Sequence, residues 1–84
     1  MIRVLYFARL REQLGRDAET LEASPALANV AAVMAHLQAR GGPWAETFGG
    51  GQRVMMAVNQ EMADRATVLR DGDELAFFPP VTGG

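Results

Sequence analysis

A chain of 84 residues, 49% hydrophobic and 21% charged, has interior for one small core; this excludes a multidomain protein and, by composition, a disordered or fibrous one. The formal charge is -2 and all eight basic residues are arginine, so there is no basic patch to neutralise nucleic-acid phosphates and no lysine to act as a catalytic ammonium, Schiff base or isopeptide acceptor. Cysteine is absent too, which removes disulfides, thiolate nucleophiles and cysteine zinc sites together.

Residues 2–8 combine β-branched and aromatic side chains with an early Arg3, which predicts a first strand buried mainly on one face. Leu10 and Leu14 stand four apart and Gly15 follows as a stop, so residues 9–14 read as a short helical turn. Glu19, Leu21 and Ala23 alternate with Ala18, Thr20 and Glu22 along a short second strand. Ser24-Pro25 is expected to open the main helix, serine capping free amides and proline preset at the first helical position. Leu27, Val30, Met34 and Leu37 then recur at helical spacing, with Val33 beside them, until Gly41-Gly42 ends the pattern.

Residues 43–52 carry Gly49-Gly50-Gly51 and no sustained period, which predicts a mobile loop with Trp44 and Phe48 folded back onto the core. Val54, Met56 and Val58 mark one face of a third strand, and Asn59-Gln60-Glu61 turns the chain. A brief extended piece falls near residues 66–69, and Asp71-Gly72-Asp73 is a further turn. Residues 74–78 form the last strand, stopped by Pro79-Pro80, which cannot donate to a ladder. The order points to an α+β fold of grasp type, a mixed sheet packed on one main helix. The expected division is a folded body over residues 1–80 and a flexible tail over 81–84. The N-terminal apolar run is too short for a signal peptide and no segment reaches the roughly 18 apolar residues of a membrane span, so a soluble cytoplasmic protein is expected.

Most catalytic constellations fail by inspection. His36, the sole histidine, falls on the helix face opposite Leu27, Val30 and Leu37 and reads as solvated. Gly49-Gly50-Gly51 lacks the lysine and capped helix of a phosphate loop. Asp71, Asp73 and Glu74 around Gly72 read as a solvated hairpin with too few oxygen ligands for calcium, and Ser24 has no base near it. The chain is expected to bind no metal and no cofactor and to catalyse nothing alone.

What remains is the end, Phe77-Phe78-Pro79-Pro80-Val81-Thr82-Gly83-Gly84. A strand stops, prolines hold the backbone extended, and a tail of about 13 Å can reach out from Val81 to Gly84. Glycine at both last positions lets the backbone enter a narrow channel and leaves the terminal carbonyl unshielded. Its α-carboxyl, with a pKa of about 3.5, is ionised at neutral pH and can attack the α-phosphate of ATP in a partner's active site. A sulfur donor displacing AMP would leave a thiocarboxylate, which holds a nucleophilic sulfur without any cysteine.

Met1-Ile2-Arg3-Val4-Leu5-Tyr6-Phe7-Ala8, Arg11-Glu12, Gly15, Ala57-Val58-Asn59-Gln60, and the run from Asp71 through Gly84 resemble the molybdopterin synthase small subunit, the MoaD family. The likeness covers nearly the whole chain and is weakest over residues 41–52. It implies a ubiquitin-like β-grasp fold, and adenylation of Gly84 by an E1-like enzyme that uses ATP and Mg. It further implies thiolation of Gly84 by a sulfur donor system, and insertion into the active site of the large synthase subunit. There the sulfur would pass to cyclic pyranopterin monophosphate, building the dithiolene of molybdopterin in two rounds within a heterotetramer. Val81, Thr82 and Gly83 would lie in the partner's channel. Strand alternation puts Phe77 in the core and Phe78 in a partner pocket, against the alternative that both are core. Two rivals are a sulfur carrier for thiazole synthesis and a ubiquitin-like protein modifier.

Overall fold

The computed structural model describes residues 1–80. Its elements in chain order are β1 (Ile2–Tyr6), α1 (Arg9–Leu14), β2 (Ala18–Leu21), a 3-10 turn (Pro25–Leu27), α2 (Val30–Gln38), α3 (Pro43–Phe48), β3 (Met55–Val58), β4 (Glu61–Met62) and β5 (Glu74–Phe78). The five strands form one mixed sheet in the order β2-β1-β5-β3-β4. β5 sits at its centre, parallel to β1 and antiparallel to β3. This is the β-grasp arrangement expected from the element order.

Period-two alternation decides what the sheet buries. Ile2, Val4 and Tyr6 of β1, Met56 of β3, and Leu75 and Phe77 of β5 all point into one cluster with Leu10, Val30, Val33, Leu37, Trp44 and Phe48 from the helices. Each fully buried side chain of this kind contributes about 1.5 to 3 kcal/mol. Phe77, wholly buried, lies between Tyr6, stacked at 6.3 Å between ring centroids, and Phe48, edge-on at 5.0 Å.

Three local expectations are corrected. The main helix starts at Val30, and its cap is Asn29, whose Oδ1 accepts from the Ala32 amide at 2.8 Å; Ser24 makes no side-chain capping bond. The reason lies in strand-like ties. The Leu69 amide donates to the Ala28 carbonyl and the Val30 amide to the Thr67 carbonyl, with a bridge between Asn29 and Val68, so residues 28–30 cannot continue a helix from Pro25. Leu27 nevertheless reaches the core from the 3-10 turn.

The second correction concerns residues 43–52. Residues 43–48 are α3, entered through Gly42 and Pro43, with Trp44, Thr47 and Phe48 buried. Six residues are too few to be helical by propensity, and it is burial of two aromatics against Tyr6 and Phe77 that holds the turn and a half together. A Cβ at Gly49 would run into the Ala45 carbonyl, which accounts for glycine where this helix stops.

Thirdly, the turn after β3 is only Asn59-Gln60, both at positive φ (51° and 69°), and Glu61 already belongs to β4. Positive φ at both central residues is the primed geometry that matches the twist of a two-residue hairpin. One more backbone feature stands out. Ala8, two residues past the end of β1, has φ 54° and ψ -129°, a conformation that costs an alanine about 1 to 3 kcal/mol.

Candidate functional site

The face of the sheet away from the core cluster carries Thr20, Arg3 and Glu74 in one row and is apolar from the next row towards the end of β5. Leu5 pairs with Ala76, Ala57 with Ala76 and Met62, and Met55 with Phe78, so these side chains share that face. Phe78 is half-buried; together with Arg53, Met55, Met62 and Pro80 it lines a shallow groove of about 290 Å³. Met62 is 64% exposed and Phe7 46% exposed. A contiguous apolar patch at the point where β5 gives way to Pro79-Pro80 is the kind of surface that a partner covers.

Polar contacts hold the strands that build this face. Asp73, at the start of β5, accepts from Asn59 Nδ2 at 3.0 Å and from the Arg70 amide at 2.8 Å, while Asn59 Oδ1 accepts from the Glu74 amide at 3.0 Å. The Asn59 hydrogen bond first, then that from Arg70, holds the Asp73 carboxyl below the usual carboxylate range. Asp71 is paired with the Met1 ammonium, which holds its carboxyl low as well. Behind the sheet, the Tyr6 hydroxyl donates to Glu19 Oε2 at 2.7 Å, and Arg40 grips both Glu19 oxygens at 2.9 and 2.7 Å. Burial would raise the Glu19 carboxyl, but hydrogen bonds from Arg40 and Tyr6 and the Arg40 and Arg16 charges outweigh it, so its pKa is lowered. Burial, reinforced by the bond to Glu19, pushes the Tyr6 phenol up, so it stays a neutral donor. The Arg40 guanidinium also lies 4.4 Å from the centre of the Trp44 ring, tying α3 to β2.

Comparison with known proteins gives the same picture. The ThiS family model matches residues 4–84. The chain belongs to the ThiS family. This ThiS-family chain is 44% identical over 84 residues, all of both chains, to the molybdopterin synthase sulfur carrier subunit of Haemophilus influenzae. Its fold is similar to the putative molybdopterin converting factor, subunit 1, of Pyrococcus furiosus, with TM-score 0.76, 30% identity, and 95% of this chain and 97% of that chain covered. It is also similar to a chain from a protein-protein complex of subunits 1 and 2 of molybdopterin-converting factor from Helicobacter pylori (TM-score 0.69, 25% identity, 99% and 97% covered). The likeness to the small-subunit family read from the motifs therefore holds.

In this ThiS-family chain Phe77 and Phe78 point to opposite faces, the first fully buried and the second in the open-face groove. Val81, Thr82, Gly83 and Gly84 lie outside the described residues. Asp73 is engaged in the turn that opens β5, Glu74 pairs with Arg3 across the β1–β5 ladder, and His36 is exposed. Among the described residues no helix is long and apolar enough to cross a membrane. Sequence reasoning missed Phe7, Met55, Met62 and Arg53. Their signal was the alternation itself: Phe7 has the parity of Arg3 and Leu5, and Met55 that of Arg53, but it takes the β1–β5 register to set position 7 beside position 78, and the β3–β5 and β3–β4 pairings to bring Met55 and Met62 to the groove with Phe78.

Proposed function

We propose that this chain is the sulfur-carrying small subunit of a molybdopterin synthase, and that Gly84 is its reactive residue. The observation that carries this reading is the full-length 44% identity to a relative named for that role. The open-face patch supports it, since a chain that delivers its own terminus needs a docking surface beside the point where the tail leaves. In this reading the Gly84 carboxylate attacks the α-phosphate of ATP in an E1-like partner that supplies the Mg, and pyrophosphate leaves. A sulfur donor then displaces AMP and gives the terminal thiocarboxylate.

The charged carrier next docks its open face on the large subunit, with Phe78 in a partner pocket and Val81, Thr82 and Gly83 in the channel. The terminal sulfur bonds to cyclic pyranopterin monophosphate, water then cleaves the acyl–sulfur bond, and the carboxylate that this leaves on Gly84 is recharged; two transfers build the dithiolene. The body, residues 1–80, delivers the tail, and the chemistry belongs to the partners. Reconstitution tests this directly: Gly84-thiolated protein, large subunit and precursor should yield molybdopterin, and deletion of Gly84 should abolish it. Mass spectrometry of protein purified from cells separates carriage from modification, since oxygen replaced by sulfur marks carriage and a Gly-Gly remnant on other proteins marks modification, and the reconstitution separates a molybdopterin carrier from a thiazole carrier.

A further inference from the structure

The strained corner at Ala8 has a twin in the fold. Gly42 opens α3 with φ 53° and ψ -134°, almost the values with which Ala8 opens α1. Glycine takes this conformation freely, whereas an alanine must be held in it by its surroundings. At position 8 the Ala8 carbonyl accepts from the Arg11 amide at 3.1 Å and from the Glu12 amide at 3.4 Å. Just before the corner, the Phe7 amide donates to the Phe77 carbonyl at 3.1 Å, and the Phe7 carbonyl accepts from the Leu10 amide at 3.1 Å. Phe7 is thus clamped from both sides, its N–H by β5 and its C=O by the first turn of α1. With Tyr6 opposite Phe77 in the parallel ladder, position 7 falls beside position 78.

We propose that Ala8 is a positioning residue for docking: its left-handed corner locks Phe7 on the open face beside Phe78, so that two phenylalanines meet the large subunit already in place. This deepens the reading given under Proposed function and rests on it. The physical gain is pre-organisation. An exposed aromatic at a frayed strand end must be ordered when the partner arrives, and that cost is removed if the backbone on both sides is already fixed. A β-branched residue cannot hold the corner, because its Cβ substituents clash at positive φ.

The test is a double-mutant cycle read as affinity for purified large subunit, with melting curves alongside. Ala8→Val should weaken binding about tenfold, and Phe7→Ala by a similar factor, as expected for loss of an aromatic anchor. Ala8→Gly, which keeps the corner, should rescue affinity to within about threefold of wild type. In the Phe7→Ala background, Ala8→Val should cost nothing further, a result that general destabilisation does not produce. Equal cost of Ala8→Val in both backgrounds overturns the proposal, as does wild-type affinity for Ala8→Val. If Ala8→Val does not fold, Ala8→Leu replaces it in the same cycle and is read by the same criteria, and unchanged affinity of Phe7→Ala sinks the idea in either case. Failure of the wild-type chain to bind large subunit defeats the reading of function itself, and this proposal with it.

Discussion

Phe77 and Phe78 are neighbours in sequence with opposite expected roles, and truncating each in turn separates folding from docking. Phe77 is fully buried between Tyr6 and Phe48, so Phe77→Ala removes a whole aromatic and leaves a cavity, a cost of about 3 to 5 kcal/mol. An 84-residue domain is stable by about 4 to 13 kcal/mol in all. The variant should therefore melt roughly 12 to 40 °C lower, at about 4 to 8 °C per kcal/mol, and a domain at the low end of that range would unfold outright. Phe78 is half-buried, so its truncation forfeits about half of the 1.5 to 3 kcal/mol of a fully buried phenylalanine, or roughly 1 kcal/mol. Its effect on large-subunit affinity should be much greater, about 2 kcal/mol or some 30-fold if it fills a partner pocket. Urea unfolding and titration with large subunit measure the two quantities on the same preparations. The reasoning fails if Phe78→Ala destabilises as much as Phe77→Ala, or if it binds the large subunit like wild type.

Trp44→Ala should cost about 3 to 5 kcal/mol, because Trp44 is buried edge-on to Tyr6 at 5.5 Å; a loss below about 1 kcal/mol would show that residues 43–48 pack no better than a loop. Asn29→Ala should lower stability by about 1 kcal/mol through loss of the α2 cap, while Ser24→Ala should leave the urea midpoint nearly unchanged; the reverse ranking would return the cap to Ser24. Glu19 has a folded-state pKa below its ordinary 4.5, so its stabilisation is fully present above that value and is lost as pH falls through the lowered folded-state pKa. Glu19→Gln should flatten that acid limb in urea melts collected as a function of pH, and an unchanged limb would assign it to Asp71 and Asp73 instead.

Much of this molecule is legible in its sequence. The alternation in β5 named its buried face, β1 was legible as a one-sided strand although it ends at Tyr6 rather than residue 8, and Leu10, Leu14 and Gly15 gave α1 with its bounds. Failures came where long-range contacts outrank local preference. Ser24-Pro25 is a good opening for a helix, yet the ties of residues 28–30 to residues 67–69 delay that helix until Val30. Pro43 through Phe48 shows no helical period because α3 is held by a few aromatic contacts and has no repeating stripe. For the docking face, Phe78 could be placed by parity within its own strand. Phe7, Met55 and Met62 could not, since it is topology that sets β1 and β3 beside β5 and β4 beside β3.

The central place of β5 also has a mechanical consequence. Four registered pairs with β1 flank it on one side and four with β3 on the other. A pull along the chain beyond Pro80 therefore loads two ladders at once in shear, and no single edge can peel away. A terminus threaded into one enzyme, withdrawn and threaded into another would be anchored at the stiffest line of the sheet, so repeated hand-over need not unravel the body that carries it.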